Sequence, residues 1–143
     1  MAIKQLSVFV ENMPGTLADV TDAIADAEID IRAMSVADTQ QFGIIRMIVD
    51  DIATAKQKLS DRNLFVKTTD VVGVAVSDEP GGLARAVRVL ADNKINIDYL
   101  YAFISVSKKN AYVVLRVDEN DAAEKVLVEN GFKLVTDDDI STL

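Results

Sequence analysis

The chain has neither cysteine nor histidine, and it places only two prolines among 143 residues. Without cysteine there is no disulfide and no thiolate nucleophile. Without histidine there is no imidazole base, and with both missing most transition-metal sites are lost as well. A reducing cytoplasm is the compartment that such usage fits. Long hydrophobic runs are also missing. "VVGVAV" (Val71 to Val76) and "YLYAFI" (Tyr99 to Ile104) stop at six residues, against the roughly 20 that a membrane helix needs, so no membrane partner is expected. The opening "MAIKQLSVFVEN" has one lysine, an apolar stretch broken by Gln5 and Ser7, and no small-residue cleavage site, which is not a signal-peptide pattern. Positive charge is scarce too. A formal charge of −8 with no local basic stripe repels phosphate backbones and argues against nucleic acid. Lys108 and Lys109 read as a solvated hairpin tip.

What the chain does contain is a repeat. Adding 66 to each number lays "NMPGTLADVTDAIADAEIDI" (Asn12 to Ile31) on "DEPGGLARAVRVLADNKINI" (Asp78 to Ile97) with 8 identities in 20, the two prolines among them. The offset then becomes 68, matching "GIIRMIVDD" to "AYVVLRVDE" and "AKQKLSDRNLFVKTTD" to "AEKVLVENGFKLVTDD". Two residues therefore enter the second copy between Ile97 and Ala111, as a loop tolerates.

Each copy carries the same pattern of elements. "IKQLSVFV" and "VVGVAV" are β-branched and apolar, as strands should be, and each ends at a Pro-Gly turn. A helix follows, with Leu17, Val20 and Ile24, or Leu83, Val87 and Leu90, at helical spacing. Two strands joined near Asp38 to Gln41, or near Lys108 to Asn110, come next. A second helix carries Ile52, Ala55 and Leu59, or Ala123, Val126 and Leu127, and Asn130-Gly131 is a helix stop. "LFVKT" and "FKLVT" close each copy as short strands. The order is βαββαβ, twice: an α+β chain of two ferredoxin-like units, residues 1–70 and 71–143, with antiparallel sheets and helices on one face. About 70 residues is marginal for one core, so packing of copies or of chains is expected, and a homodimer with it. "YLYAFI" is apolar on both faces, so either it lies centrally in a two-sided core or something else covers its far side.

Many functions share this topology, so particular residues must decide. An RNA-recognition module needs exposed aromatics and basic groups. Tyr99, Tyr101 and Phe103 align in copy two, but Ala33, Ser35 and Ala37 replace them in copy one, and the charge is wrong. A copper chaperone needs a Cys-x-x-Cys pair, and an acylphosphatase needs an arginine in its first loop; "ENMPGT" and "SDEPGG" have none. The run Asp137 to Asp139 reads as a solvated tail on extended backbone and not as a metal site. No triad or paired-acid spacing appears, so no enzyme and no cofactor are expected.

"NMPGTL" followed by "IDI", and "DEPGGL" followed by "INI", resemble the ACT domain, whose first strand-to-helix turn has the form Asp/Asn-x-Pro-Gly-x-Leu. The resemblance covers nearly the whole chain. It implies a regulatory module that binds a small molecule, usually an amino acid, between the Pro-Gly loop of one domain and a strand of its neighbour. Chemically the turn suits such a ligand: Gly15 and Gly81 admit close approach to the backbone, and a helix N-terminus offers N–H groups to a carboxylate. The resemblance assigns Asn12, Met13, Pro14, Gly15, Thr16 and Leu17 with Asp30 and Ile31 to one site. It assigns Asp78, Glu79, Pro80, Gly81, Gly82 and Leu83 with Asn96 and Ile97 to the other. Copy two, with Gly82 in place of Thr16, reads as the more open turn. A plainer reading stays open, in which Pro14 and Gly15 only start a helix, Asn12 and Asp78 only cap it, and Asp30 or Asn96 only makes a turn. The function expected is an amino-acid sensor acting on a target enzyme of amino-acid metabolism. The alternative is an assembly or adaptor protein that kept the sheets and lost the ligand.

Overall fold

A computed structural model describes residues 2–39, 41–104 and 110–143. The chain forms two compact units, Lys4–Thr69 and Asp70–Leu143, the latter joined by the first residues through Ile3. In the N-terminal unit the order is β1 (Ile3–Glu11), α1 (Thr16–Asp26), β2 (Ile31–Asp38), β3 (Phe42–Val49) and α2 (Ile52–Asp61). β3 pairs antiparallel with both β1 and β2. The C-terminal unit takes the order β4 (Phe65–Ser77), α3 (Gly82–Asp92), β5 (Ile97–Ala102), β6 (Asn110–Val117), α4 (Asn120–Glu129), β7 (Lys133–Leu134) and α5 (Asp137–Thr142). Its strands lie side by side as β5–β6–β4–β7, all antiparallel. This is the ferredoxin-like α+β arrangement, with the helices on one side of the antiparallel sheet.

Alternation along the strands decides which face the helices cover. Leu6, Val8 and Val10 of β1 meet Val20, Ala23 and Ile24 of α1, and Ala55 and Leu59 of α2 complete the cluster. In the C-terminal unit Val72, Val74 and Val76 take the same positions under Ala86 and Leu90 of α3 and Ala123 and Leu127 of α4. Every second strand residue reaches the core, as a period of two requires. Each fully buried leucine or valine contributes about 1.5–3 kcal/mol relative to exposure.

Four particulars depart from the sequence reading. Leu17 and Leu83 are 41% and 38% exposed, and Val87 is only half-buried. Leu17 and Ile24 differ by two helical turns and so share a side, but only Ile24 joins the core cluster, and in the first turn of α3 it is Gly82 and not Leu83 that is buried. "LFVKT" and "VVGVAV" run into one continuous strand, β4, because Thr68, Thr69 and Val71 are β-branched and neither glycine nor proline separates the two stretches. Residues as far as Thr69 belong to the N-terminal unit, where Val66 packs on the core. β5 is a sheet edge and not a central strand: Tyr101 is buried while Leu100, on the opposite face, is 40% exposed. Lastly, the acidic run is not extended. Asp137 to Asp139 form the first turn of α5, where acids suit the helix dipole.

Chain reversals after the helices need left-handed backbone, supplied by Gly131 (φ 86°) as expected but also by Glu28, Asn63 and Lys94 (φ 58–61°). Among the described residues no helix is long and apolar enough to cross a membrane, and no group of carboxylates could hold a metal. The hairpin tip assigned to Lys108 and Lys109 lies outside the described residues.

α5 is held by a reciprocal cap. The Asp139 amide donates to the Thr136 hydroxyl (3.2 Å), and the Thr136 amide donates to the Asp139 carboxylate (2.9 Å). Thr136→Ala is expected to cost about 1 kcal/mol in urea unfolding. The Thr136 amide, with its hydroxyl and Lys133 in support, holds the Asp139 carboxyl below its usual range. A carboxylate whose pKa falls on folding stabilises above its unfolded pKa, and the gain is lost as pH drops through the folded value. Asp139→Asn should therefore lower the Tm at neutral pH, and melting curves should show the gap closing as pH falls below about 4.

Candidate functional site

Both Pro-Gly turns have the same backbone frame. In the first, the Met13 amide donates to Glu11 O (2.9 Å), Thr16 N to Met13 O (3.3 Å) and Asp19 N to Gly15 O (2.9 Å). In the second, Glu79 N donates to Ser77 O (2.9 Å), Gly82 N to Glu79 O (3.0 Å) and Arg85 N to Gly81 O (3.0 Å). Gly15 and Gly81 are the residues that precede α1 and α3, at φ 93° and 87°. Such a φ carries a penalty for any residue with a Cβ, which explains glycine at both positions.

Neither helix has a side-chain cap. Asn12 and Asp78 therefore do not act as caps, and the plainer reading of those two residues fails on geometry. The amides of Leu17 and Ala18, and of Leu83 and Ala84, meet no acceptor among the described residues. A Cβ built on Gly15 meets nothing within 4 Å. Exposed N–H groups and open space above the glycine together can receive an anion.

The side chains around the two frames differ. In the first turn the Thr16 hydroxyl donates to Met13 O (2.6 Å) and Glu11 O (2.9 Å), while Asn12, Met13 and Pro14 are exposed. In the second, Arg85 reaches back over the turn: its Nη2 donates to Ser77 Oγ (2.7 Å) and Glu79 Oε1 (3.0 Å), and the Ser77 hydroxyl donates to the same Glu79 oxygen (3.1 Å). The hydrogen bond from Arg85 is the chief cause holding the Glu79 carboxyl below its usual range, with Ser77 adding to it. Gly82 does not open this turn. It is buried, and a Cβ there would sit on the Ser77 carbonyl oxygen, so glycine here permits close backbone packing.

The structure does not bring the strand residues to the turns within either unit. Leu6 pairs with Met47 and Ile31 with Val49, so Asp30 and Ile31 lie level with Lys4, about 26 Å along the sheet from Asn12 at 3.3 Å per residue. Val72 pairs with Leu115 and Ile97 with Val117, which places Asn96 and Ile97 equally far from Asp78. Asp30 also has a local partner: Arg32, nearly buried, donates from Nη1 to Asp30 Oδ2 at 2.9 Å. In the second unit Asn96 donates to Asp98 at 3.0 Å in the same place.

One feature went unread in the sequence. Beside the second turn lies an open groove of about 930 Å³ between α3 and the β4–β7 edge. It takes in Gly81 but otherwise draws on residues outside the assigned set, Arg85, Arg88 and Lys133 among them.

Comparison with known proteins places these features in context. A family model described as an ACT domain pair matches residues 1–143. A protein of Bacteroides thetaiotaomicron with a crystal structure is 36% identical, with a TM-score of 0.92 over 100% of this chain and 98% of that one. The ligand-free regulatory subunit of aspartate kinase from Thermus thermophilus shares the fold, at 16% identity and a TM-score of 0.66 over 90% and 92%. The corresponding subunit from Thermus flavus does so at 17% and 0.60, over 88% and 90%. No curated protein matches the chain.

Substitution separates the two uses of glycine. Gly15→Ala places a methyl in open space and should cost only the left-handed penalty, about 1–2 kcal/mol. Gly82→Ala must displace the Ser77 carbonyl and should cost about 3 kcal/mol, the upper end for overpacking. Urea unfolding of both variants checks the order.

Proposed function

The chain belongs to the ACT domain pair family, a regulatory module, and from that premise we propose that it senses an amino acid and regulates a target enzyme of amino-acid metabolism. The observation that carries this reading is the repeated turn: a left-handed glycine ahead of a helix whose first amides have no acceptor. The α-carboxylate of the ligand lies against these amides, where the helix dipole favours negative charge. Asn12 or Asp78 and backbone carbonyls accept from the ammonium.

Asp30 and Ile31, or Asn96 and Ile97, then complete a site only when a different domain contributes them, because the register keeps them at the far end of their own sheet. In a homodimer that domain comes from the partner copy. Ligand bound across such a junction stabilises the assembly that forms it and shifts the equilibrium by linkage. The target enzyme reads the shift. An aspartate kinase regulatory subunit of similar fold supports a role beside an enzyme.

Thermal shift against the twenty amino acids tests the proposal. A ligand at about 100 times its Kd should add about 2.7 kcal/mol, which raises the Tm by several degrees. Gly15→Val and Gly81→Val, each compared with its own unliganded melt, should remove the response of the turn concerned. If no amino acid stabilises the chain at millimolar concentration, the sensor reading falls and the assembly or adaptor reading replaces it.

A further inference from the structure

We infer that the sheet face of the N-terminal unit turned away from its helices is the surface on which a second copy of this chain docks. Leu6, Val8, Ile45, Met47 and Val66 join the core beneath the helices. By alternation, Phe9 and Glu11 of β1, Phe42, Ile44 and Arg46 of β3, and Phe65 and Lys67 of β4 point the other way. Phe9 and Phe65 meet there with ring centroids 5.2 Å apart, yet they remain 38% and 67% exposed, and Phe42 is 61% exposed. With about 150–250 Å² to a ring, the three leave on the order of 300 Å² of aromatic surface bare, a patch of the size that marks an interaction site. The C-terminal unit has no such patch, because Ala75, Lys133 and Asn110 hold the equivalent positions. Further along the same face Ala33 and Ile48 are buried, so the bare part is the end near the Pro-Gly turn.

A second copy fits because the order of residues on this face is its own complement. Glu11 pairs with Phe42, Phe9 with Ile44 and Ser7 with Arg46. β7, the equivalent of the start of β4, pairs antiparallel with Lys133 opposite Ala75; by the repeat, Phe65 lies level with Phe9 and Lys67 with Ser7. A two-fold axis across the strands at the level of Phe9 lays the same face of a second copy on the first, with its strands reversed. Phe9, Phe65 and Ile44 then meet their own copies. Glu11 of one copy comes level with Lys67 of the other, and Phe42 with Arg46, so an ion pair and a cation–π contact flank the rings on both sides. Among the described residues, Glu11 and Lys67 make no ion pair within the chain. Sheets packed face to face lie about 10 Å apart, a gap that these side chains span from both sides. Standard interfaces take about 800 Å² from each partner, with the rings here as the apolar centre and the charges as the rim. Asp30, level with Lys4 in its own sheet, comes level with Pro14 of the other copy, as a site shared between copies requires.

Sedimentation equilibrium of the full chain, with no amino acid present, tests the inference. The wild type should sediment at about twice the 15.6 kDa of one chain at micromolar concentration. Phe65→Asp, at an exposed ring outside the core cluster, should raise the Kd of the dimer about a hundredfold or more. Glu11→Lys and Lys67→Glu should each weaken the dimer about tenfold, and the two together should restore it. That rescue leaves the rings untouched, so it decides the matter even where Phe65→Asp does not fold. A wild type that stays monomeric through about 100 μM overturns the inference and gives the face to a different protein. Phe65→Asp dimerising as tightly as the wild type, or a charge-reversed double variant no tighter than the single ones, also overturns it. The inference rests on the homodimer of the proposed function but not on its ligand. A dimer that holds while the amino-acid screen fails leaves this interface intact, and a monomer that an amino acid still stabilises removes the interface and not the sensor.

Discussion

Each unit must turn its first strand into its first helix across four residues, 12–15 or 78–81. That reversal ends on left-handed backbone, which a residue with a Cβ adopts only at a cost. With glycine in place the helix starts close to the strand end, its apolar stripe comes down over Leu6, Val8 and Val10 or over Val72, Val74 and Val76, and the core closes. The same constraint leaves the helix without a side-chain cap, so the geometry that builds the core also leaves bare amides at the rim of the sheet. Fold and candidate site come from one local requirement.

Duplication then lets side chains diverge over a fixed frame. The three backbone hydrogen bonds of the turn recur at an offset of 66 residues, yet one turn is tied by a threonine hydroxyl and the other by an arginine, a serine and a glutamate. Arg32 pairs with Asp30 in one unit, and Asn96 bonds Asp98 in the other. Neither change disturbs the strands, because these residues lie at ends and edges where the core makes no demand. A duplicated regulatory fold can in this way carry different chemistry on its two copies while the packing of each stays alike.

Much of the fold was legible because the relevant signals are local or repeated. β-Branched apolar runs marked the strands, helical spacing marked Val20 and Ile24, and the repeat let each copy check the other. Leu17 and Leu83 misled because periodicity reports direction around a helix and not how deeply each turn is covered. Glu28 and Lys94 take left-handed backbone without any residue-type signal, unlike Asn130-Gly131. The site residues divided along the same line. Residues of the turn are contiguous and so were readable as a group, whereas the distance from Asn12 to Asp30 depends on strand register, which the sequence does not state. The groove was hidden for a different reason: its lining comes from α3, the start of β6 and the residues after α4, which no contiguous motif links.

The absence of a cap also bears on function through its energetic cost. Two other helices are capped by side chains, Asp51 for α2 and Thr136 for α5, whereas α4 is not. Glycine in the capping position gives up only a few tenths of a kcal/mol against serine or aspartate, so α1 and α3 forgo little stability. In exchange the first amides stay accessible, and no side chain stands between them and a ligand. A capping oxygen would occupy the place that a carboxylate needs, and a ligand would have to displace it before binding. Left-handed glycine thus meets a structural demand and an accessibility demand with the same atom count, which is why the two turns could keep it while most of the surrounding surface changed.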